Sequence, residues 1–158
     1  MRNPLRGISA AALVLAGATS GASAQPSDIA VSQAWTRAAG ATAPTAAGYM
    51  TLRNRGASPD RLVGAETPAA RAVEIHEQRM EDGVMRMRPL PGGIALPPGE
   101  TVTLGPGGLH LMLVGPTRAF ARGERVPLTL RFERAGEVAV ELAVEAAGAR
   151  RPSGHAGH

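Results

Sequence analysis

The sequence predicts an all-β fold, an antiparallel β-sandwich or barrel in a single domain. Three observations predict it. Short apolar/polar alternating runs recur along the chain, which is the period of a half-buried strand. Turn chemistry separates them, drawn from 20 glycines and 13 prolines in 158 residues. No window carries the apolar spacing of an amphipathic helix of ten or more residues. Many short strands with Gly/Pro punctuation argue for sandwich or barrel architecture.

Ile29 to Trp35 alternates and reads as a first strand, with Ile29, Val31 and Trp35 on related sides. Residues 38–47 are rich in Ala, Gly, Thr and Pro and read as a loop. Tyr49–Arg55 is the second strand, residues 56–60 are a turn, and Arg61–Thr67 is the third strand. Ala72–Met80 is strand-like, with Val73 and Ile75 facing one way and Glu74, His76, Gln78 and Met80 the other. Asp82-Gly83 is a strong two-residue hairpin signal, and Val84–Leu90 returns. Residues 91–99 are expected to be loop, with Ile94 and Leu96 tucked inward. Short strands follow at Thr101–Leu104 and Leu109–Val114, separated by the Gly105–Gly108 turn. After a loop containing Phe120, Val126–Glu133 and Glu137–Glu145 alternate strictly around Ala135-Gly136 as a final hairpin.

The two ends read differently. Residues 1–24 have the three parts of a secretory signal: Arg2 and Arg6, an apolar run from Ile8 to Ala18, and the small-residue site Ala22-Ser23-Ala24. That run is too short to span a bilayer, and no membrane span is expected after cleavage. Residues 25–146 form the expected domain. Residues 147–158 lose the alternation and read as a flexible tail carrying His155 and His158.

Composition excludes several classes. All 17 basic residues are arginine; two leave with the signal, and 15 − 13 gives a mature charge of +2. The arginines are scattered, and one Trp, one Tyr and two Phe offer no stacking platform, so no nucleic-acid partner is expected. There are no cysteines. This removes disulfides, a lipid-bearing N-terminal Cys, thiol redox chemistry, a Cys-type zinc site and a nucleophilic Cys. No nucleophile–base pair, phosphate loop or paired carboxylates suggest an enzyme.

One stretch remains chemically distinctive. If Asp82-Gly83 form the hairpin turn, Glu81 faces Val84, Met80 faces Met85 and Gln78 faces Met87. His76 is then diagonal to Met87 on the same face, within reach of long side chains. In Leu109–Leu113 the leucines share the core face, and His110 and Met112 share the other. Each unit pairs an imidazole with a thioether, and together they form a His₂Met₂ set: His76, Met87, His110 and Met112. Thioether sulfur is soft and selects Cu(I), whereas zinc favours Cys, His and carboxylate and calcium needs oxygen. A blue-copper electron-transfer site needs a thiolate, which this sequence lacks, so copper is expected to be carried rather than used to shuttle electrons. A strand methionine is more often a core gap-filler, and Met50, Met80 and Met85 are read first in that way; Met80 and Met85 share the His76 face and stay open as flanking copper ligands. His155 and His158 are candidate Cu(II) ligands of the tail.

At these residues the chain resembles the periplasmic copper chaperone family PCu(A)C. The matching text includes GYMTLRN, DRLVGAETPAARAVEIHE, MEDGVMRMRPL, PGGLHLML and VPLTLRFE, and covers about residues 28–145. His76 and Met87 enclose ten residues, and His110-Leu-Met112 closes the family motif. The 22 residues between Met87 and His110 are one more than the family pattern. The resemblance implies a cupredoxin-like β-sandwich that is periplasmic and binds Cu(I); a monomer is expected. It implies delivery of copper to the copper A centre in subunit II of cytochrome c oxidase, together with a Sco-type thiol protein. Copper sequestration without a client is the alternative.

Overall fold

The computed structural model describes residues 27–153. The signal expected at residues 1–24, and His155 and His158 of the tail, lie outside them. Ten strands make up the described chain: β1 (Ile29–Arg37), β2 (Thr45–Asn54), β3 (Asp60–Glu66), β4 (Ala70–Glu81), β5 (Val84–Pro89), β6 (Ile94–Leu96), β7 (Thr101–Leu104), β8 (Leu109–Pro116), β9 (Arg125–Phe132) and β10 (Gly136–Glu145). They join in one hydrogen-bonded order, β5-β4-β8-β2-β1-β10-β9-β3-β6, with β7 also on β2.

The ladder is continuous, but the core shows how it folds over itself. Met50 and Leu52 of β2, Ile75 of β4 and Leu111 and Leu113 of β8 share one buried cluster with Leu62 of β3, Leu96 of β6, Leu130 of β9 and Leu142 of β10. A Cβ on Gly48 would sit 3.4 Å from side-chain carbons of both Leu113 and Leu142. Two faces of leucine therefore close on each other, giving the cupredoxin-like sandwich.

Three features go beyond the sequence expectation. β1 and β10 pair in parallel, with Trp35 opposite Ala143 and Arg37 opposite Glu145; the other strand pairings among the described residues are antiparallel. Parallel pairing joins distant segments and leaves no turn signature. Residues Ile94–Leu96, expected as loop, pair with β3 as the short strand β6, and both Ile94 and Leu96 are buried as expected. β2 begins at Thr45, inside the predicted 38–47 loop, because its first residues find β8 as a partner.

β7 and β8 lie end to end along the same edge of β2. Met50 faces Leu104 on β7, and Gly48 faces Leu111 on β8. The Gly105–Gly108 turn is an excursion between them, closed by Gly108 N–H donating to the Gly105 carbonyl at 3.1 Å. This excursion presents His110 at the start of β8.

Candidate metal centre

Strand β4 lies between β5 and β8 and carries His76. The β4–β5 hairpin turns at Asp82 (φ 50°) and Gly83 (φ 76°), the left-handed pair that a two-residue type I′ turn requires. The register is the expected one: Glu81 opposite Val84, Met80 opposite Met85, Gln78 opposite Met87. On its other side β4 sets His76 directly opposite His110, and Glu74 opposite Met112. The two imidazole rings lie 5.8 Å apart between centroids and are tilted by 46°. His76 is thus flanked by His110 across the ladder and has Met87 and Met112 on its diagonals. Met87, His110 and Met112 line one open cavity of about 350 Å³, with Gln78, Tyr49 and Arg37 on its walls.

Both rings are oriented by acceptors. His110 Nδ1 lies 3.0 Å from the Gly108 carbonyl, which can only accept, so Nδ1 carries the proton and Nε2 keeps its lone pair. Gly108 itself is held, because its carbonyl also accepts the Gln78 N–H at 3.0 Å. His76 Nε2 lies 2.7 Å from Glu74 Oε2. A carboxylate also only accepts, so in the neutral ring Nδ1 is the lone-pair atom. That Nδ1 is buried and has no hydrogen-bond partner among the described residues. A buried polar atom without a partner is costly, and a metal would satisfy it. Each imidazole therefore has one nitrogen tied to an oxygen and the other available, the arrangement that orients metal-bound histidines.

His110 is only 3% exposed. Burial pushes its pKa below the ordinary histidine value; the Gly108 bond opposes this, and the neighbouring His76 adds to it. The ring is kept neutral, the form that binds metal. Among the described residues no group of three or more His, Cys, Asp or Glu could hold a metal. The further donors beside the two imidazoles on this face are the thioethers of Met87 and Met112, which favour a soft ion.

Tyr49 lines the cavity and packs against Trp35. The Trp35 and Tyr49 rings have centroids 4.7 Å apart and are tilted by 41°, and the Arg37 guanidinium lies 6.0 and 5.6 Å from their ring centres. Burial raises the Tyr49 pKa, and Arg37 opposes the rise. Arg37 Nε also donates to the Ala149 carbonyl at 2.7 Å, and Ser153 Oγ bonds Glu145 at 2.7 Å. The first part of the C-terminal tail is thereby held against the domain.

All four sequence-predicted residues lie on adjacent strands of this face. Met50 is core, at 1% exposed. Met80 and Met85 are not: they are 61% and 44% exposed, because the hairpin tip beyond Glu77 has no second strand beside β4. The sequence alone pointed to no role for Glu74, Gly108 or the Trp35–Tyr49–Arg37 cluster. Glu74 had a signal, since it lies two residues from His76 on the same face. A larger depression of about 810 Å³ is lined by residues including Val31, Gln33, Arg125 and Glu141, but no histidine or methionine reaches it.

The family model described as "Putative lipoprotein LpqE-like" matches residues 29–144. The "Putative lipoprotein Lxx21020" of Leifsonia xyli subsp. xyli is 33% identical over 128 residues, 81% of this chain and 76% of that protein. Among solved structures, the copper-bound PCuAC domain from PmoF2 is 34% identical with a TM-score of 0.65, covering 75% of this chain and 93% of that domain. The Cu(I) form of DR1885 from Deinococcus radiodurans is 32% identical with a TM-score of 0.60, covering 84% of this chain and 87% of that one. The apo PCuAC domain from PmoF1 is 28% identical with a TM-score of 0.63. The sandwich, and the face on which β5, β4 and β8 gather two histidines and two methionines, thus occur in a chain that belongs to the LpqE-like family.

Proposed function

We propose that this protein is an exported, non-enzymatic Cu(I) carrier that holds one ion between His76 Nδ1, His110 Nε2 and the sulfurs of Met87 and Met112. The observation that carries this reading is the pair of facing imidazoles. Each is pinned through one nitrogen, to Glu74 or Gly108, and His76 Nδ1 is left buried without a partner. Likeness to a copper-bound PCuAC domain and to the Cu(I) form of DR1885 supports copper as the cargo.

The donor set explains how copper is held and released. Two neutral thioethers add no charge and bind a soft ion without losing a proton. The imidazoles add affinity while they are neutral. With two ligands on the β4–β5 hairpin and two on β8, and Met87 48% exposed, the ion lies where an incoming ligand can reach it.

The recipient in this proposal is the copper A centre of cytochrome c oxidase, with a Sco-type thiol protein as partner in the periplasm. Export rests on the N-terminal signal pattern and on the lipoprotein name of a relative. The 158 residues contain no cysteine to carry a thioether-linked lipid. No helix among the described residues is long and apolar enough to cross a membrane. Titration of Cu(I) against a competing chelator tests the site: one ion binds tightly per chain, and Met87→Ala and His110→Ala each weaken binding. Unchanged affinity in both variants refutes the site. Gene deletion separates delivery from sequestration, because loss of oxidase activity supports delivery, whereas copper sensitivity with normal oxidase supports sequestration.

A further inference from the structure

The exposed large apolar side chains among the described residues are Val63, Met80, Val84, Met85 and Met87. Four of these five lie on the β4–β5 hairpin, and three of the four are methionine. β8 accompanies β4 only as far as the Glu77–Leu109 pair, so the tip beyond it has β5 alone. A bare hairpin is normally covered with charge, and one face of this one is. Arg79 pairs with Glu77 at 3.0 Å, and Arg86 and Arg88 both pair with Glu81. The other face carries Gln78, Met80, Met85 and Met87.

The register gives these methionines a shared geometry. Met80 is directly opposite Met85. In a two-residue hairpin the pair flanking the turn exchanges the backbone hydrogen bonds, so the next pair, Met80–Met85, is the close-set kind. Met87 is diagonal to Met80 on one side and to His76 on the other. Each diagonal is about 7–8 Å between Cα atoms, a gap that long side chains bridge. Met87 is therefore the one thioether adjacent to both groups.

The geometry points to Met80, Met85 and Met87 as a second, surface site for a soft monovalent ion, through which Cu(I) enters and leaves the His76–Met87–His110–Met112 centre. The inference rests on the reading of that centre as a Cu(I) site. Three neutral thioethers suit Cu(I) or Ag(I) and offer nothing to zinc or calcium. Lacking imidazoles and open to water, the site binds more weakly than the centre. Passage is a ligand exchange: the Met80 and Met85 sulfurs replace the imidazole nitrogens and Met112 while Met87 stays bound. Copper remains Cu(I), and no proton or electron moves.

The test uses the full chain with ¹³C-methyl-labelled methionine, titrated anaerobically with Cu(I). The first equivalent shifts the Met87 and Met112 methyl signals, and the second, with Met87 already held in the centre, binds the remaining pair and shifts Met80 and Met85. If Met80 and Met85 stay unmoved through the second equivalent, the surface site is refuted while the centre stands. If Met87 and Met112 do not move with the first, the centre itself is refuted. The double variant Met80→Leu/Met85→Leu keeps the apolar area and removes the sulfur. It should retain the affinity for the first ion and slow Cu(I) transfer to a bidentate chelator several-fold. An unchanged transfer rate would assign the patch to apolar contact alone and overturn the proposal.

Discussion

Glu74→Ala tests how the centre is oriented without touching a metal ligand. Glu74 Oε2 holds His76 Nε2 at 2.7 Å and so leaves Nδ1 as the basic atom. Removing such an outer partner typically costs about 10–100-fold in metal affinity. The Glu74 side chain is 54% exposed, so water screens the pair and the low end applies. The expected loss is about tenfold in Cu(I) affinity, or about 1.4 kcal/mol. Glu74→Gln keeps an oxygen that accepts from Nε2–H, and it should fall between wild type and Glu74→Ala. Chelator competition at neutral pH reads all three, together with His76→Ala and the Glu74→Ala/His76→Ala double variant. Because Glu74 acts through His76, its loss should have no further effect once His76 is gone. Wild-type affinity in Glu74→Ala, or additive losses in the double variant, would refute the orienting role.

Other outcomes follow from the same structure. Since burial holds the His110 pKa below its unfolded value near 6.5, the unfolded chain takes up a proton first as pH falls. Apo stability should therefore be full above about 6.5, fall as pH drops through that value towards the folded pKa, and then level off; urea midpoints in wild type and His110→Gln check this, the variant losing the dependence. Leu111 is fully buried, and Leu111→Ala should cost about 2–5 kcal/mol in urea unfolding. Asn54 is 1% exposed, and its side chain donates to the Ser58 and Leu96 carbonyls and accepts the Gly56 N–H. Asn54→Ala leaves those groups unpaired and should cost about 1–3 kcal/mol by the same assay. Gly93 has φ 75°, and a Cβ there would lie 2.1 Å from the Leu62 carbonyl oxygen, so Gly93→Ala should lower the melting temperature through both strain and clash.

The local half of this site was legible in the sequence. Asp82-Gly83 specifies a turn type, the turn sets the register, and the register places Met87 on a diagonal of His76. Alternation likewise put His110 and Met112 on one face and the leucines of β8 on the other. What joins the halves is non-local. The pairing of β4 with β8, which sets His76 opposite His110, comes from packing Ile75, Leu111 and Leu113 in one core, and no short-range signal encodes it. The parallel β1–β10 pair was illegible for the same reason. Gly108 was invisible because its contribution is a backbone carbonyl, which any residue supplies. Met80 and Met85 read as core because alternation reports which face a residue takes, not whether another layer covers that face.

The X-ray absorption spectrum of the chain loaded with one equivalent of Cu(I) tests the His₂Met₂ centre most directly. Two sulfur and two nitrogen neighbours are expected in the first shell, lost in part with Met87→Ala and His110→Ala. With no cysteine in the sequence, methionine is the source of any protein sulfur in that shell. A first shell of nitrogen and oxygen alone would rule out Met87 and Met112 as ligands.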